Sequence, residues 1–227
     1  MYLPTIIHSL LSIALTASIS NSSPTPTIPP IAESDKIYQQ LVEDAPLVPS
    51  KEIFELAMNG WEKLEHNLEN QVLTIIDFSL PSTEKRLWVI DMEKSEILIN
   101  TVVSHGRNSG QLMAESFSNK PESYKSSLGF FKTAETYFGK HGYSLRIDGL
   151  EKGINDQARN RAIVIHGAEY AKEEFAKATG RLGRSLGCPA LPPNISKETI
   201  DLIKEGSLMF VFGKTPDYLE NSELAQP

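Results

Sequence analysis

The sequence predicts a β-rich α+β domain, a bent or sandwich-like mixed sheet carrying a few packed helices. Three observations predict it. Short β-branched and aromatic runs recur at residues 72–78, 86–91, 96–103, 128–131, 141–147, 162–165 and 207–212, and runs of that length between turn residues read as strands. One longer segment carries helical periodicity instead, with Ile53, Phe54, Ala57, Trp61, Leu64 and Leu68 on one stripe. Finally, 227 residues that are 40% hydrophobic and 22% charged suit one well-filled domain plus extensions.

Taken in order, residues 1–20 hold an apolar run from Ile6 to Ile19 followed by small residues, the length of a signal-peptide core or of an uncleaved anchor. Export to the periplasm or cell envelope is expected, with no stable membrane span once the signal is removed. Residues 21–49 read as a linker and a short helix: NSSPTPTIPP is extended Pro/Ser/Thr chain, and Ser34 can cap a helix to Val42. The main domain is placed at 50–213, opening with Ser50 as the N-cap of the periodic helix. Residues 107–127 are polar and aperiodic, and a loop of that length is a cleft wall or a mobile surface segment; Ser118 and Asn119 are its hydrogen-bonding candidates. A helix over 168–178 is broken by Gly180 and Gly183, and Ser196 is expected to cap a helix over 197–205 that closes at Gly206. Residues 214–227 carry no pattern and read as a tail.

The chemistry is expected between Arg161 and Pro193. An apolar run ends in His166-Gly167, and a glycine-flanked cysteine follows at Cys188, on a loop whose exit is stiffened by Pro189, Pro192 and Pro193. A neighbouring imidazole can draw the proton from a thiol and form a thiolate–imidazolium pair. Gly187 lets the backbone approach a substrate carbonyl, and the N–H groups around Cys188 suit a developing oxyanion. On residue type alone a free cysteine is more often buried and inert, but a single cysteine in an exported chain has no internal partner, which favours a reactive thiol or an intermolecular link. His105-Gly106 repeats the strand-then-His-Gly arrangement. The acidic balance, 29 Asp and Glu against 22 Lys and Arg, argues against nucleic acid as a partner. No spacing suggests a metal or other cofactor.

His166-Gly167 with Ser185-Leu186-Gly187-Cys188, and the continuation Gly183-Arg184-Ser185-Leu186-Gly187-Cys188-Pro189-Ala190, resemble the signature of the YkuD-type L,D-transpeptidases. Val103-Ser104-His105-Gly106, Phe117-Ser118-Asn119, Ser126-Ser127-Leu128-Gly129 and the run Gly139-Lys140-His141-Gly142-Tyr143-Ser144-Leu145 fit as well, so the likeness spans residues 54–212. Two positions depart from it: Leu186 stands where many members have a second histidine, and Ala190 where many have arginine or asparagine.

The resemblance implies the family's sheet topology and a monomer acting on peptidoglycan stem peptides. Cys188 would attack a tetrapeptide stem, releasing D-alanine and leaving a thioester. His166 would serve as base and then acid, the Gly167 carbonyl would orient its ring, and Gly187 and Cys188 would hold the oxyanion. Arg184 suits a stem carboxylate by its fork geometry or a structural ion pair, and Ser185, His105, Ser118, Asn119 and His141 are the other substrate-binding candidates. Release to an amine makes a transpeptidase and release to water an L,D-carboxypeptidase; a non-catalytic cell-wall-binding protein is the reading outside enzymes.

Overall fold

The computed structural model describes Met1 and residues 33–227. Apart from Met1, the expected signal peptide lies outside the described residues, as does all of the expected Pro/Ser/Thr linker. Among those described, no helix is long and apolar enough to cross a membrane.

Helices α1 (Glu33–Asp44) and α2 (Lys51–Leu64) come first, and Ser50 caps α2 by accepting a hydrogen bond from the Ile53 amide at 3.4 Å. Eight strands follow: β1 (Val72–Asp77), β2 (Leu87–Asp91), β3 (Glu96–Thr101), β4 (Gly129–Gly139), β5 (Gly142–Gly149), β6 (Val164–Gly167), β7 (Ala190–Leu191) and β8 (Leu208–Phe212). They form one mixed sheet in the order β3-β2-β1-β8-β4-β5-β6-β7. Neighbours are antiparallel except at β1–β8 and β6–β7. Every residue of β1 and β8 is buried, so the middle of the sheet is covered on both faces, which is why these strands read as unbroken apolar runs. Helix α2 packs on β1 and β8, and Phe130 of β4 stacks on Phe210 of β8 at 4.5 Å between ring centres. Helix α4 (Pro193–Ile203) touches both β1 and β6, four places apart in the strand order, so the sheet curls around it.

Five expectations need correction. Helix α1 already includes Glu33, so Ser34 lies within its first turn and does not cap it, and the helix runs past Val42 to Asp44. Helix α4 begins at Pro193, whose fixed φ and missing N–H suit the first helical position, and Ser196 lies buried inside its first turn, its hydroxyl on the Pro193 carbonyl at 3.2 Å. The helix ends at Ile203, so Gly206 lies beyond its cap. Strand β6 starts at Val164, because the chain is still turning at Ala162, with φ +53°. The expected helix over 168–178 is split into a 3-10 turn at Glu169–Ala171 and α3 (Glu173–Thr179), which stops at left-handed Gly180. The tail is not patternless: α5 (Pro216–Asn221) buries Tyr218, whose hydroxyl donates to the buried Glu151 at 3.3 Å, and Ser222 donates to the same carboxylate. Glu151 in turn accepts from the Phe130 amide at 2.7 Å, so the tail closes on the start of β4.

Candidate active site

The cysteine loop is fixed from two sides. Strand β7 pairs in parallel with β6, setting Ala190 opposite His166 and Leu191 opposite Gly167. Cys188, two residues before Ala190, therefore lies alongside the start of β6: its Sγ is 3.8 Å from the Ala162 carbonyl and faces the Val164 amide. On the other side the segment after β3 grips the loop. Ser104 N–H donates to the Ala190 carbonyl at 2.9 Å, Ser185 N–H to the His105 carbonyl at 3.0 Å, and Arg107 N–H to the Ser185 carbonyl at 2.8 Å.

Two glycines make the close packing possible. Gly187 has φ +126°, and a Cβ there would lie 2.9 Å from the Lys125 carbonyl oxygen and 3.0 Å from Ile163 Cδ1. A Cβ on Gly106 would meet the Tyr124 carbonyl at 2.6 Å and the Gly187 Cα at 3.0 Å. Ser126 ties these segments together, accepting from Gly106 N–H at 3.0 Å and donating to the Gly187 carbonyl at 3.2 Å.

His166 is 1% exposed and its Nδ1 lies 3.0 Å from the Gly167 carbonyl. A carbonyl only accepts, so this bond places the proton on Nδ1 and leaves Nε2 as the basic nitrogen. His141 stacks on the same ring with 4.3 Å between centres. Burial lowers the His166 pKa, and burial raises that of the Cys188 thiol against the pull of the Val164 amide and the Arg161 charge. Both directions oppose a thiolate–imidazolium pair at rest, against the expectation from the sequence. Consistent with that, no Sγ–imidazole hydrogen bond is present among the described residues, and the thiol's contact is with the Ala162 carbonyl.

The other candidates separate. His105 is 1% exposed, packed edge-on against Phe78 and held at Nδ1 by Arg86 Nη2 at 2.9 Å, so its side chain does not line an open cleft. Arg86 is fully buried and donates also to the carbonyls of Val103 at 2.8 Å and Leu80 at 2.7 Å. Ser185 is buried as well: its hydroxyl donates to the Cys188 carbonyl at 2.6 Å and accepts from Gly187 N–H at 3.0 Å, bracing the loop from within. That bond occupies the Gly187 amide, which removes it as an oxyanion donor. Arg184 Nη1 holds the carbonyls of Arg107 and Gly110, both at 2.9 Å, and makes no ion pair among the described residues. Ser118 and Asn119 border a cleft of about 470 Å³ with Phe117, Leu128 and Tyr218, and neither Cys188 nor His166 lines it. Leu186, beside the cysteine, is 56% exposed.

Sequence reasoning missed two residues. Arg161, given no role of its own by the sequence, is half-buried and binds the carbonyls of Ser118 and Lys125 at 2.5 and 2.6 Å. Tyr170 packs its Cβ against Gly183, accepts that residue's N–H at 2.7 Å, and has its hydroxyl pKa pushed up to about 12 by burial and by the nearby Cys188 charge. The only signal for Arg161 was its place at the junction of a polar segment with a buried strand.

Comparison with known proteins now gives this geometry a family. Residues 48–212 match the YkuD_2 family model, the L,D-transpeptidase catalytic domain, and the chain belongs to that family. Solved structures similar to it include an L,D-transpeptidase from Mycobacterium smegmatis, at 16% identity over 63% of this chain and 59% of that one with a TM-score of 0.39. Another is an L,D-transpeptidase from Stackebrandtia nassauensis, at 17% identity over 80% and 77% with a TM-score of 0.38. The chain thus spans about three fifths of the first of these, and superpositions this loose add nothing to the family match. No curated protein matches the chain.

Proposed function

We propose that the protein is a peptidoglycan L,D-transpeptidase that works through a Cys188 acyl-enzyme on tetrapeptide stems. The observation that carries this reading is the β6–β7 register, which aligns Cys188 beside the strand bearing His166 while loop 185–190 is bonded on both flanks. Sγ attacks the carbonyl that precedes the terminal D-alanine; as the C–S bond forms, His166 Nε2 takes the thiol proton. When the C–N bond breaks, the same nitrogen returns the proton to the departing D-alanine amine. The Cys188 amide, which has no carbonyl partner among the described residues, serves the oxyanion, with the Gly187 amide held by Ser185. An acceptor amine or water then releases the thioester.

Charge supports an anionic substrate. In a chain of net charge −7, Arg107 and Arg184 make no ion pair among the described residues, whereas Arg146 and Arg159 are paired with Glu135 and Asp148 elsewhere on the surface. Arg184 is the candidate for a stem carboxylate. His141 steadies the base by stacking, and Ser118 and Asn119 belong to a substrate subsite only if the stem reaches their cleft. Ser185 acts through the backbone it holds, and His105 through the Arg86 side chain. Export to the cell envelope accompanies this reading and rests on residues outside the described set.

Mass spectrometry of disaccharide-tetrapeptide incubated with the full chain tests the proposal. A cross-linked dimer that needs both Cys188 and His166 is the expected product. Tripeptide and free D-alanine alone would make the protein an L,D-carboxypeptidase, and an unchanged substrate with a thiol inert to iodoacetamide would favour a cell-wall-binding protein.

A further inference from the structure

We infer that Arg161 is the counter-charge of the Cys188 thiolate and the strut of the cleft wall behind it, a positioning residue for the cysteine chemistry proposed above. Its guanidinium has four bonds, all to neutral acceptors: Nη1 to the Ser118 carbonyl and the Ser127 hydroxyl, both at 2.5 Å, and Nη2 to the Ser123 hydroxyl at 3.2 Å and the Lys125 carbonyl at 2.6 Å. Carbonyls and hydroxyls orient a guanidinium but do not neutralise it, and a half-buried charge without a counter-ion is costly.

The missing anion is not a matter of supply. Arg159, two residues earlier, binds both Glu135 and Asp148. Arg161 is turned the other way, toward the nucleophile loop, where Nη2 stands 3.4 Å from the position a Cβ would take on Gly187. Among the described residues, the one ionisable group whose charge acts on it is Cys188, and it acts to favour the charged guanidinium, as Arg161 acts to favour the thiolate.

The other groups around the thiol cannot replace it. Tyr170 is neutral and its own ionisation is opposed by Cys188. Burial disfavours the charged form of His166. Lys125 turns its ammonium to the Ser116 hydroxyl at 2.6 Å, and Arg184 turns to the Arg107 and Gly110 carbonyls. The thiol is buried enough to resist ionisation, so Arg161 lowers the cost of the thiolate at the moment His166 removes the proton. The same side chain fixes the 118–127 wall, which couples loop position to thiol reactivity.

The test is the pH dependence of iodoacetamide alkylation of Cys188, the chain's single cysteine, followed by intact mass in the full chain without any substrate. Arg161→Gln is expected to move the inflection upward by about one pH unit, with a roughly tenfold slower reaction below it. Arg161→Lys, which keeps the charge, is expected to recover most of that loss. Ser127→Ala removes one strut bond and keeps the cation, and is expected to lower the melting temperature while leaving the inflection in place. An unmoved inflection in Arg161→Gln overturns the inference, as does a shift in Ser127→Ala as large as in Arg161→Gln. Should Arg161→Gln not fold, Arg161→Lys against Ser127→Ala decides it: an inflection raised by a full unit in the lysine variant overturns the assignment. Alkylation needs no peptidoglycan, so the result stands whether or not a muropeptide is turned over.

Discussion

His105-Gly106 and His166-Gly167 look alike in the sequence, each an apolar run closing on histidine and glycine, and both rings are buried. Their proton arrangements are opposite. His166 donates from Nδ1 to the Gly167 carbonyl and keeps Nε2 for chemistry, whereas His105 accepts at Nδ1 from Arg86 and carries its proton on an Nε2 that faces the Gly110 carbonyl without reaching hydrogen-bond geometry. An arginine can only donate, so the sole basic nitrogen of His105 is occupied. One histidine is arranged to take a proton; the other is an acceptor that helps satisfy a buried cation. Neighbours, not the dipeptide, decide which.

The largest expected effect separates the two by function. His166→Gln should reduce turnover by about 10²–10⁴-fold with little change in unfolding free energy, and His105→Gln should do the reverse; steady-state muropeptide kinetics beside urea melts would check both. Equal loss of turnover in the two variants, with both folded, would break the comparison. Arg86→Met comes next. It leaves the Val103 and Leu80 carbonyls and His105 Nδ1 without their donor, and should cost about 3 kcal/mol or more of stability by denaturant titration.

Much of the scaffold behind this comparison was legible from residue pattern. The Ser50 cap, the α2 stripe and the apolar strands are local features, and the unbroken burial of β1 and β8 is what their composition announces. Elements set by distant partners were not legible. The final helix gains its burial from Glu151, 67 residues before Tyr218, and β6 begins two residues late because Ala162 is held in a turn by the Arg159 carbonyl. At the site, Cys188 and His166 stood out by chemistry and resemblance. Ser185 and His105 stood out as substrate-binding candidates, yet their side chains turn inward, and side-chain direction is fixed by the segments that close over them. Arg161 was hidden because a charged residue in a polar connector has no pattern to break.

pH sharpens the comparison further. The folded pKa of His105 is lowered from 6.5 to about 4 by burial and then by Arg86. The unfolded chain therefore binds the proton first, and stability present above pH 6.5 is lost as pH falls toward 4, by roughly 3 kcal/mol for this group. His166, also lowered by burial, adds a loss of the same sign. Urea melts between pH 7 and 4 should show that slope, and His105→Gln should flatten it. Turnover has its own acid limb: burial holds the His166 pKa below its ordinary value of 6.5, so the fall in activity should lie on the acid side of that value. The smallest expected effect is Ser126→Ala, which removes the bridge from Gly106 to Gly187 and should cost about 1 kcal/mol with a modest slowing of Cys188 alkylation.

The central claim is that Cys188 carries the acyl group and His166 moves the proton. Intact-mass analysis of the full chain, mixed with disaccharide-tetrapeptide and quenched in acid within seconds, tests it most directly. The expected result is an adduct on Cys188 of the stem less its terminal D-alanine, absent in Cys188→Ala and greatly slowed in His166→Gln. Turnover that persists in Cys188→Ala, or an adduct that forms as fast without the imidazole, would contradict it.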